Sequence, residues 1–349
     1  MQTQQVHIAG LQGLENLGST CAINSLIQLI CRTPHLRNAI LNSNIQGESL
    51  TSELREILDM MHNKRHSISP KKFVNHLYRH FDGIFEQGEQ IDIGELWMFL
   101  CDKVATELGS EVQHTDDEAP DDIANIDIIN NHQIAANQGL HKLCRRSMNR
   151  FNNNKTSKWQ EMSQGIMLHI LTCNNCNNII YNFEPFISIP VDIPTESGIF
   201  SVAAMLRNYL KSQTCSGDWK CDKCQVPDAS YTKLIKLWKM PPVLIFIVKR
   251  FANIHMKNTQ PISINKTISV KKGSILADIE AEYIYNCTAL GYHFGNLSGG
   301  HYCALCKNED GTYLLYDDLN INIVNEDQVK KAFEESRDAY MVVYTTETL

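Results

Sequence analysis

Apolar residues recur at helical spacing in the first third of this chain and give way to strand-like runs in the remainder. From Cys21 to Cys31, Ile23, Leu26, Ile27 and Ile30 fall on one face, with Thr20 before them and Arg32-Thr33-Pro34 closing the segment. This pattern predicts a helix. A second helix is expected from about Ile91 to Leu108, with Leu96, Phe99, Leu100 and Val104 together on one side. Between Gly109 and Lys158 the periodicity breaks down. An acidic stretch (Asp116, Asp117, Glu118, Asp121, Asp122) is followed by a basic, Asn-rich one (Arg145, Arg146, Arg150, Asn152 to Lys155). The expectation there is a mobile insertion with one or two helices, a solvated loop being the plainer account. From Ile166 onward strands are predicted at Phe183 to Ile193, Tyr231 to Trp238, Val243 to Phe251, Tyr283 to Tyr292, Tyr302 to Cys306, Tyr313 to Tyr316 and Ala339 to Thr345. A helical part followed by a sheet part gives an α+β class.

Composition narrows the function. With 349 residues, 43% hydrophobic and 20% charged, the chain can bury a large core as one domain or two closely packed ones. A net charge of -7 disfavours nucleic acid as a partner. The longest aliphatic-aromatic run, Val243 to Val248, is too short to cross a bilayer and reads as a buried strand, so no membrane role is expected. The start, MQTQQVHIAG, has no basic-then-apolar export pattern. Twelve cysteines without such a signal point to thiol chemistry or metal binding rather than disulfides, and to the cytoplasm, with the nucleus also open.

Cys21 lies in Gly13-Leu-Glu-Asn-Leu-Gly-Ser-Thr-Cys21-Ala-Ile-Asn-Ser-Leu-Ile-Gln28, where a loop turns into a helix. Unpaired N–H groups and the positive end of a helix dipole favour a thiolate there, and the same groups suit a developing oxyanion. Asn16, just upstream, is a further side-chain donor. Taken alone, a cysteine opening an amphipathic helix is more often a packing residue. The segment nevertheless resembles the cysteine box of the ubiquitin-specific protease family, Gly-Leu-x-Asn-Leu-Gly-Asn-Thr-Cys-Tyr-Met-Asn-Ser-x-x-Gln, with Ser19, Ala22 and Ile23 at the family's usual Asn, Tyr and Met. The resemblance implies that Cys21 is the nucleophile and Asn16 an oxyanion-hole donor.

A thiol nucleophile needs a histidine and a group to orient it. The run from His301 through Lys307-Asn-Glu-Asp-Gly311 to Tyr316-Asp317 reads as strand, turn, strand. A turn centred on Glu309 pairs His301 directly with Asp317, at about 4.5–5.5 Å between Cβ atoms. His293-Phe-Gly295-Asn-Leu-Ser-Gly299-Gly300-His301-Tyr302 resembles the same family's His-x-Gly-x-x-x-x-Gly-His-Tyr box, and Tyr316-Asp317-Asp318 its aromatic-Asn/Asp-Asp block. The resemblance implies His301 as general base, Asp317 as its orienter and Asp318 as an auxiliary, with His293, Gly300 and Tyr302 lining the substrate path. The glycines at 295, 299 and 300 imply a flexible loop beside the site. Gln90-Ile-Asp92-Ile-Gly-Glu95 resembles the family's Gln-x-Asp-x-x-Glu segment, which makes Gln90 and Asp92 candidate contacts to the basic tail of ubiquitin. A solvated carboxylate opening a helix accounts for Asp92 equally well.

Cys173-Asn-Asn-Cys176 and Cys221-Asp-Lys-Cys224 are two polar knuckles, 44 residues apart between Cys176 and Cys221. Four thiolates make a closed, structural zinc site, and the family resemblance implies such a site in a β-rich fingers region. Reduced, unligated thiols are the alternative, and Cys215 is a spare candidate ligand. Cys303-Ala-Leu-Cys306 lies in a predicted strand, where i and i+3 face opposite ways, and is assigned to packing.

The resemblance implies a papain-like fold with a helical thumb, a β-sheet palm and zinc-bearing fingers. The expected boundaries are a tail at 1–12, then one catalytic domain: thumb 13–165, fingers and palm strands 166–250, and a palm with the His/Asp hairpin at 251–349. The expected reaction is thiol-dependent hydrolysis after the C-terminal glycine of ubiquitin or a ubiquitin-like protein. It needs no cofactor for chemistry, and a single chain is expected to act alone. A catalytically silent ubiquitin-binding scaffold of the same fold and a zinc-ribbon binding module are the rival readings.

Overall fold

A computed structural model describes residues 12–63, 68–112, 131–217, 219–253, 256–296 and 299–346. The 116–122 acidic stretch, most of the expected N-terminal tail, and Leu297-Ser298 of the glycine loop lie outside them. Helices Cys21–Cys31, Pro34–Leu41, Leu50–Asn63, Lys71–His80 and Ile93–Leu108 form the first lobe. The helix Cys21–Cys31 is buried along its whole length, because an apolar stripe on one side and small or amide side chains on the other let it be packed all round. Ile93–Leu108 starts two residues later than the spacing predicted, since Asp92 caps it by accepting from the Gly94 and Glu95 N–H groups.

Among the described residues the palm is an eight-stranded sheet. Its strand order is Asn320–Val324, Tyr313–Asp317, Gly299–Lys307, Tyr283–Asn296, Ala339–Thr346, Val243–Lys249 and Ile189–Asp192, with Thr267–Val270 pairing on Tyr283–Asn296. All neighbours are antiparallel except Ile189–Asp192, which runs parallel to Val243–Lys249. The central strands are apolar on both faces because both faces are covered. Ile245, Met341 and Val343 pack toward the helical lobe, while Leu244, Phe246, Val342 and Tyr344 pack on the other side with Val202, Met205 and Phe333. The helical lobe is thereby fixed against one face of the palm, and the helix Cys21–Cys31 packs on the strand Gly299–Lys307.

A second sheet of four strands, ordered Ile179–Phe186, Gly165–Cys173, Tyr231–Lys239 and Gln213–Cys215, carries the cysteine knuckles at one end. The strand expected over Phe183 to Ile193 is two strands, Ile179–Phe186 in this sheet and Ile189–Asp192 in the palm. The chain changes sheets between them. The described part of the expected insertion is not a solvated loop. Helices Asn131–Ala135 and Gln138–Phe151 bury Ile134, Leu140 and Cys144 against Leu168, Phe183 and Trp238 of the second sheet. Asn137 caps the longer helix through the Leu140 N–H.

Candidate active site

Cys21 is the first residue of its helix and is buried. The loop before it holds two left-handed residues, Gly18 (φ +96°) and Ser19 (φ 53°), so the chain turns sharply into the helix. The Asn16 side-chain oxygen ties this turn together, accepting from the Gly18 N–H at 3.0 Å and the Thr20 hydroxyl at 3.2 Å. The backbone N–H groups of Tyr302, Ala22 and Cys21 itself face the sulfur and favour its anion. Burial opposes them and prevails, and the nearby Asp318 carboxylate adds to it, so the thiol is pushed above its ordinary value. The thiolate expected from helix position alone is therefore not the resting form. The sulfur needs a base.

His301 is the neighbour of Tyr302 on the strand that the cysteine helix packs against. Its Nε2 lies 2.6 Å from Asp317 Oδ1. The carboxylate is positioned to accept the Nε2 proton, which leaves Nδ1 as the basic nitrogen. The hairpin register differs from expectation. Ala304 pairs with Tyr316 and Cys306 with Leu314, so the turn centres on Asp310, not Glu309. Asp310 itself closes the turn, accepting from the Thr312 N–H and hydroxyl. Asp317 thus stands opposite Cys303 and reaches His301 diagonally. A slip of two residues preserves the face, which is why the contact survives it.

Asp318 adopts φ 51° and turns its carboxylate back toward the cysteine loop. It accepts from Asn16 Nδ2 at 2.8 Å and from Asn24 Nδ2 at 2.7 Å. One of the two amide hydrogens of Asn16 is therefore held by Asp318, and the other is the one available to an oxyanion. Asn24, one helical turn beyond Cys21, was not singled out from sequence, although it stands in the same cysteine motif. The Leu14 N–H donates to the Asp318 carbonyl, and Gly13 lies so close to the Leu319 backbone that a Cβ there would sit 2.4 Å from its oxygen. The loop 12–20 is thereby joined to the segment that follows Asp317.

The residues expected to line the substrate path separate into two groups. Asp92 and Gln90 sit at the start of the helix Ile93–Leu108, with Asp92 serving as its cap. His293 and Tyr302 are both buried. The His293 ring packs on Phe251 and Tyr302, and burial together with the Lys257 ammonium lowers it to about 4, so it is neutral. Gly300 lies over that ring, where a Cβ would come within 2.2 Å of His293 Nε2. Gly295, Gly299 and Gly300 all belong to the paired ends of two strands, Gly295 opposite Gly300 and Asn296 opposite Gly299.

At the tip of the second sheet, Cys173, Cys176, Cys221 and Cys224 place their sulfurs within 4.8 Å of one another. The knuckles repeat one geometry. Asn177 (φ 58°) donates its N–H to the Cys173 carbonyl at 2.9 Å, and Gln225 (φ 57°) donates to the Cys221 carbonyl at 2.8 Å. The sulfur separations Cys173–Cys224 of 3.9 Å and Cys176–Cys221 of 3.6 Å suit four thiolates around one ion. Metal–sulfur bonds of about 2.3 Å in a tetrahedron require roughly 3.8 Å. This cluster can hold a metal ion. Cys215 ends a neighbouring strand opposite Tyr231 and is not part of the cluster, and Cys306 packs in the helical-lobe core.

A family model described as ubiquitin carboxyl-terminal hydrolase matches residues 12–344. The chain belongs to this family of cysteine-type deubiquitinases. Over 347 residues it is 25% identical to the Drosophila melanogaster ubiquitin carboxyl-terminal hydrolase Usp2, covering 96% of this chain and 35% of that protein. It is 26% identical to ubiquitin carboxyl-terminal hydrolase 4 of Arabidopsis thaliana, covering 93% and 88%, and 25% identical to ubiquitin carboxyl-terminal hydrolase 2 of Gallus gallus, covering 97% and 94%. The chain thus spans about a third of the first relative and most of the other two. Its fold matches a chain in the SAGA Ubp8/Sgf11/Sus1/Sgf73 DUB module bound to ubiquitin aldehyde, with a TM-score of 0.69 at 17% identity over 100% of this chain and 72% of that one. The family and the papain-like α+β fold agree with the sequence expectations.

Proposed function

We propose that this chain hydrolyses the isopeptide or peptide bond after the C-terminal glycine of ubiquitin, with Cys21, His301 and Asp317 as the catalytic triad. The observation that carries the reading is the 2.6 Å His301–Asp317 contact on the strand whose next residue, Tyr302, turns its N–H to the Cys21 sulfur. His301 Nδ1 takes the thiol proton, and the sulfur attacks the glycine carbonyl. The Cys21 N–H and the free amide hydrogen of Asn16 receive the oxyanion. His301 then protonates the leaving amine and afterwards activates water against the thioester. Because burial holds the resting thiol protonated, proton transfer to His301 belongs to the attack step. Asp92 and Gln90 are proposed contacts for the basic tail of the modifier. His293, Gly300 and Tyr302 are proposed to shape the path from beneath.

The metal proposed for the four-cysteine cluster is zinc, held by Cys173, Cys176, Cys221 and Cys224. Its contribution is structural, since four thiolates leave no position for water. The unit proposed to act is the single chain, as one chain supplies every member of the triad. Twelve unpaired cysteines suit a reducing compartment, so the proposed location is the cytoplasm or nucleus.

The test is turnover of ubiquitin carrying a fluorogenic C-terminal amide, beside matched substrates made from ubiquitin-like modifiers. Ubiquitin turnover that vanishes in Cys21→Ala is the expected result. No turnover of any modifier by folded protein overturns the reading in favour of a silent scaffold. Preference for another modifier overturns the choice of ubiquitin.

A further inference from the structure

We propose that His301, Cys303 and Asp317 form a second, reversible metal site for a zinc-like ion, and that filling it silences the base. Cys303 stands two residues beyond His301 on one strand, so both side chains leave the same face. The hairpin register sets Cys303 opposite Asp317. The imidazole nitrogen, the sulfur and a carboxylate oxygen all lie within 4.8 Å of one another. The side chains of His301 and Asp317 are each 40% exposed while Cys303 is buried, so the set is a small cup with sulfur at its floor and nitrogen and oxygen at its rim.

One nitrogen, one sulfur and one oxygen are the donor types a zinc-like ion takes, and three of them leave a fourth position open to water. Calcium and magnesium need six or more oxygens and find one side-chain carboxylate here. The 2.6 Å His301–Asp317 contact must open for coordination. Two ligands bound at about 2.0–2.1 Å sit roughly 3.3 Å apart around a tetrahedral ion. The ion therefore competes with an existing hydrogen bond, which makes its binding reversible, unlike that of the closed four-sulfur knuckle site.

Cys303 gives up its thiol proton to solvent on binding the ion, one per chain. His301 coordinates through Nε2, the nitrogen facing Asp317, and the proton formerly there is carried on Nδ1. An imidazole bonded through Nε2 and protonated at Nδ1 has no lone pair for the Cys21 thiol. The metal-bound form is closed to the attack step.

The test uses the full chain with its knuckle ion in place, titrated with cadmium and separately with zinc. Equilibrium dialysis should give two ions per chain in the wild type and one in Cys303→Ser. Cadmium should add a thiolate charge-transfer band in the wild type that Cys303→Ser lacks. Cys303→Ser should keep its ubiquitin-amide turnover, and the half-inhibiting zinc concentration should rise at least about ten-fold, the scale on which lost metal-site interactions lower affinity. Zinc-edge absorption on the wild type is a second readout that needs no variant. The weaker ion should show one sulfur among its neighbours. A single ion per chain in the wild type, a weaker ion with no sulfur or with several, or unchanged inhibition in Cys303→Ser overturns the proposal. The dialysis and absorption measurements stand without turnover; only the inhibition measurement rests on the proposed hydrolysis, so the two readings fail separately.

Discussion

Replacing Arg250 should unfold this protein more readily than any surface change, although the residue lies outside the triad. Its side chain is wholly buried. The guanidinium donates to the backbone carbonyls of Ala339 (2.7 Å), Asn258 (2.9 Å), Ser336 (3.0 Å) and Gln260 (3.1 Å). Burial lowers its pKa to about 10, so it remains charged at neutral pH. Arg250→Met fills similar space and removes all four bonds. Of the four carbonyls, Ser336 keeps another donor, the Ile262 N–H. An acceptor left short costs about 1–3 kcal/mol when buried, as at Ala339, with the part-buried carbonyls of Asn258 and Gln260 at the lower end. The expected loss is about 3–5 kcal/mol, a large share of the roughly 5–15 kcal/mol that holds a domain together. At about 2 °C per kcal/mol for a large domain, Tm should fall by roughly 6–10 °C. Arg250→Lys keeps the charge but not the planar fork and should recover less than half of the loss. The assay is urea and thermal unfolding followed by tryptophan fluorescence. A loss under about 1 kcal/mol in Arg250→Met, or full recovery in Arg250→Lys, would refute the carbonyl-satisfaction argument.

Three further outcomes follow from single positions. Ser19 holds φ 53° without the asparagine that tolerates such a conformation, so Ser19→Asn should raise stability by about 0.5–1 kcal/mol, read as an upward shift in urea midpoint. Gly300→Ala pushes a Cβ against the His293 ring and, at 2.7 Å, against the Asn296 carbonyl. The strand must move and carry His301 with it, so kcat/KM should drop by about 100-fold while circular dichroism stays native. His293 is lowered to about 4 from an ordinary 6.5, so the unfolded chain binds its proton first as pH falls. The stability this residue contributes is complete above pH 6.5 and is lost as pH drops toward 4. The loss should be about 2 kcal/mol by pH 5, and His293→Phe should flatten the profile in that window, as urea midpoints across pH would show.

Much of the site was legible because its chemistry sits in short, continuous segments. Cys21 at a loop-to-helix junction and His301 on a hairpin with Asp317 each stand in a continuous motif, and the resemblance of those motifs to one family's outweighed the packing reading of the cysteine. The hairpin register was not legible, since a turn of polar residues can centre on Glu309 or Asp310, and it is held at Asp310 by that side chain's bonds to Thr312 together with the Gly311 N–H donating to the Asn308 carbonyl. The face of the strand was still predictable, because that choice changes pairing by an even step. The break between Phe186 and Ile189 escaped for a different reason. The alternating pattern continues through it, and only tertiary pairing assigns the two halves to different sheets. Helix Gln138–Phe151 was hidden by its charge: Leu140 and Cys144 are its buried residues, too few to mark an apolar stripe. The protonated state of Cys21 depends on burial and on Asp318, which lies 297 residues away along the chain and cannot be read from helix position.

The proposed hydrolysis requires Cys21 and His301 to work as one centre. Ubiquitin bearing a thiol-reactive electrophile at its C-terminus, followed by intact-mass measurement and peptide mapping, examines this directly. A single adduct on Cys21, absent in Cys21→Ala and formed at least about 100-fold more slowly in His301→Ala, is the predicted result. An adduct on any other of the twelve cysteines, or equal labelling rates with and without the imidazole, would contradict it.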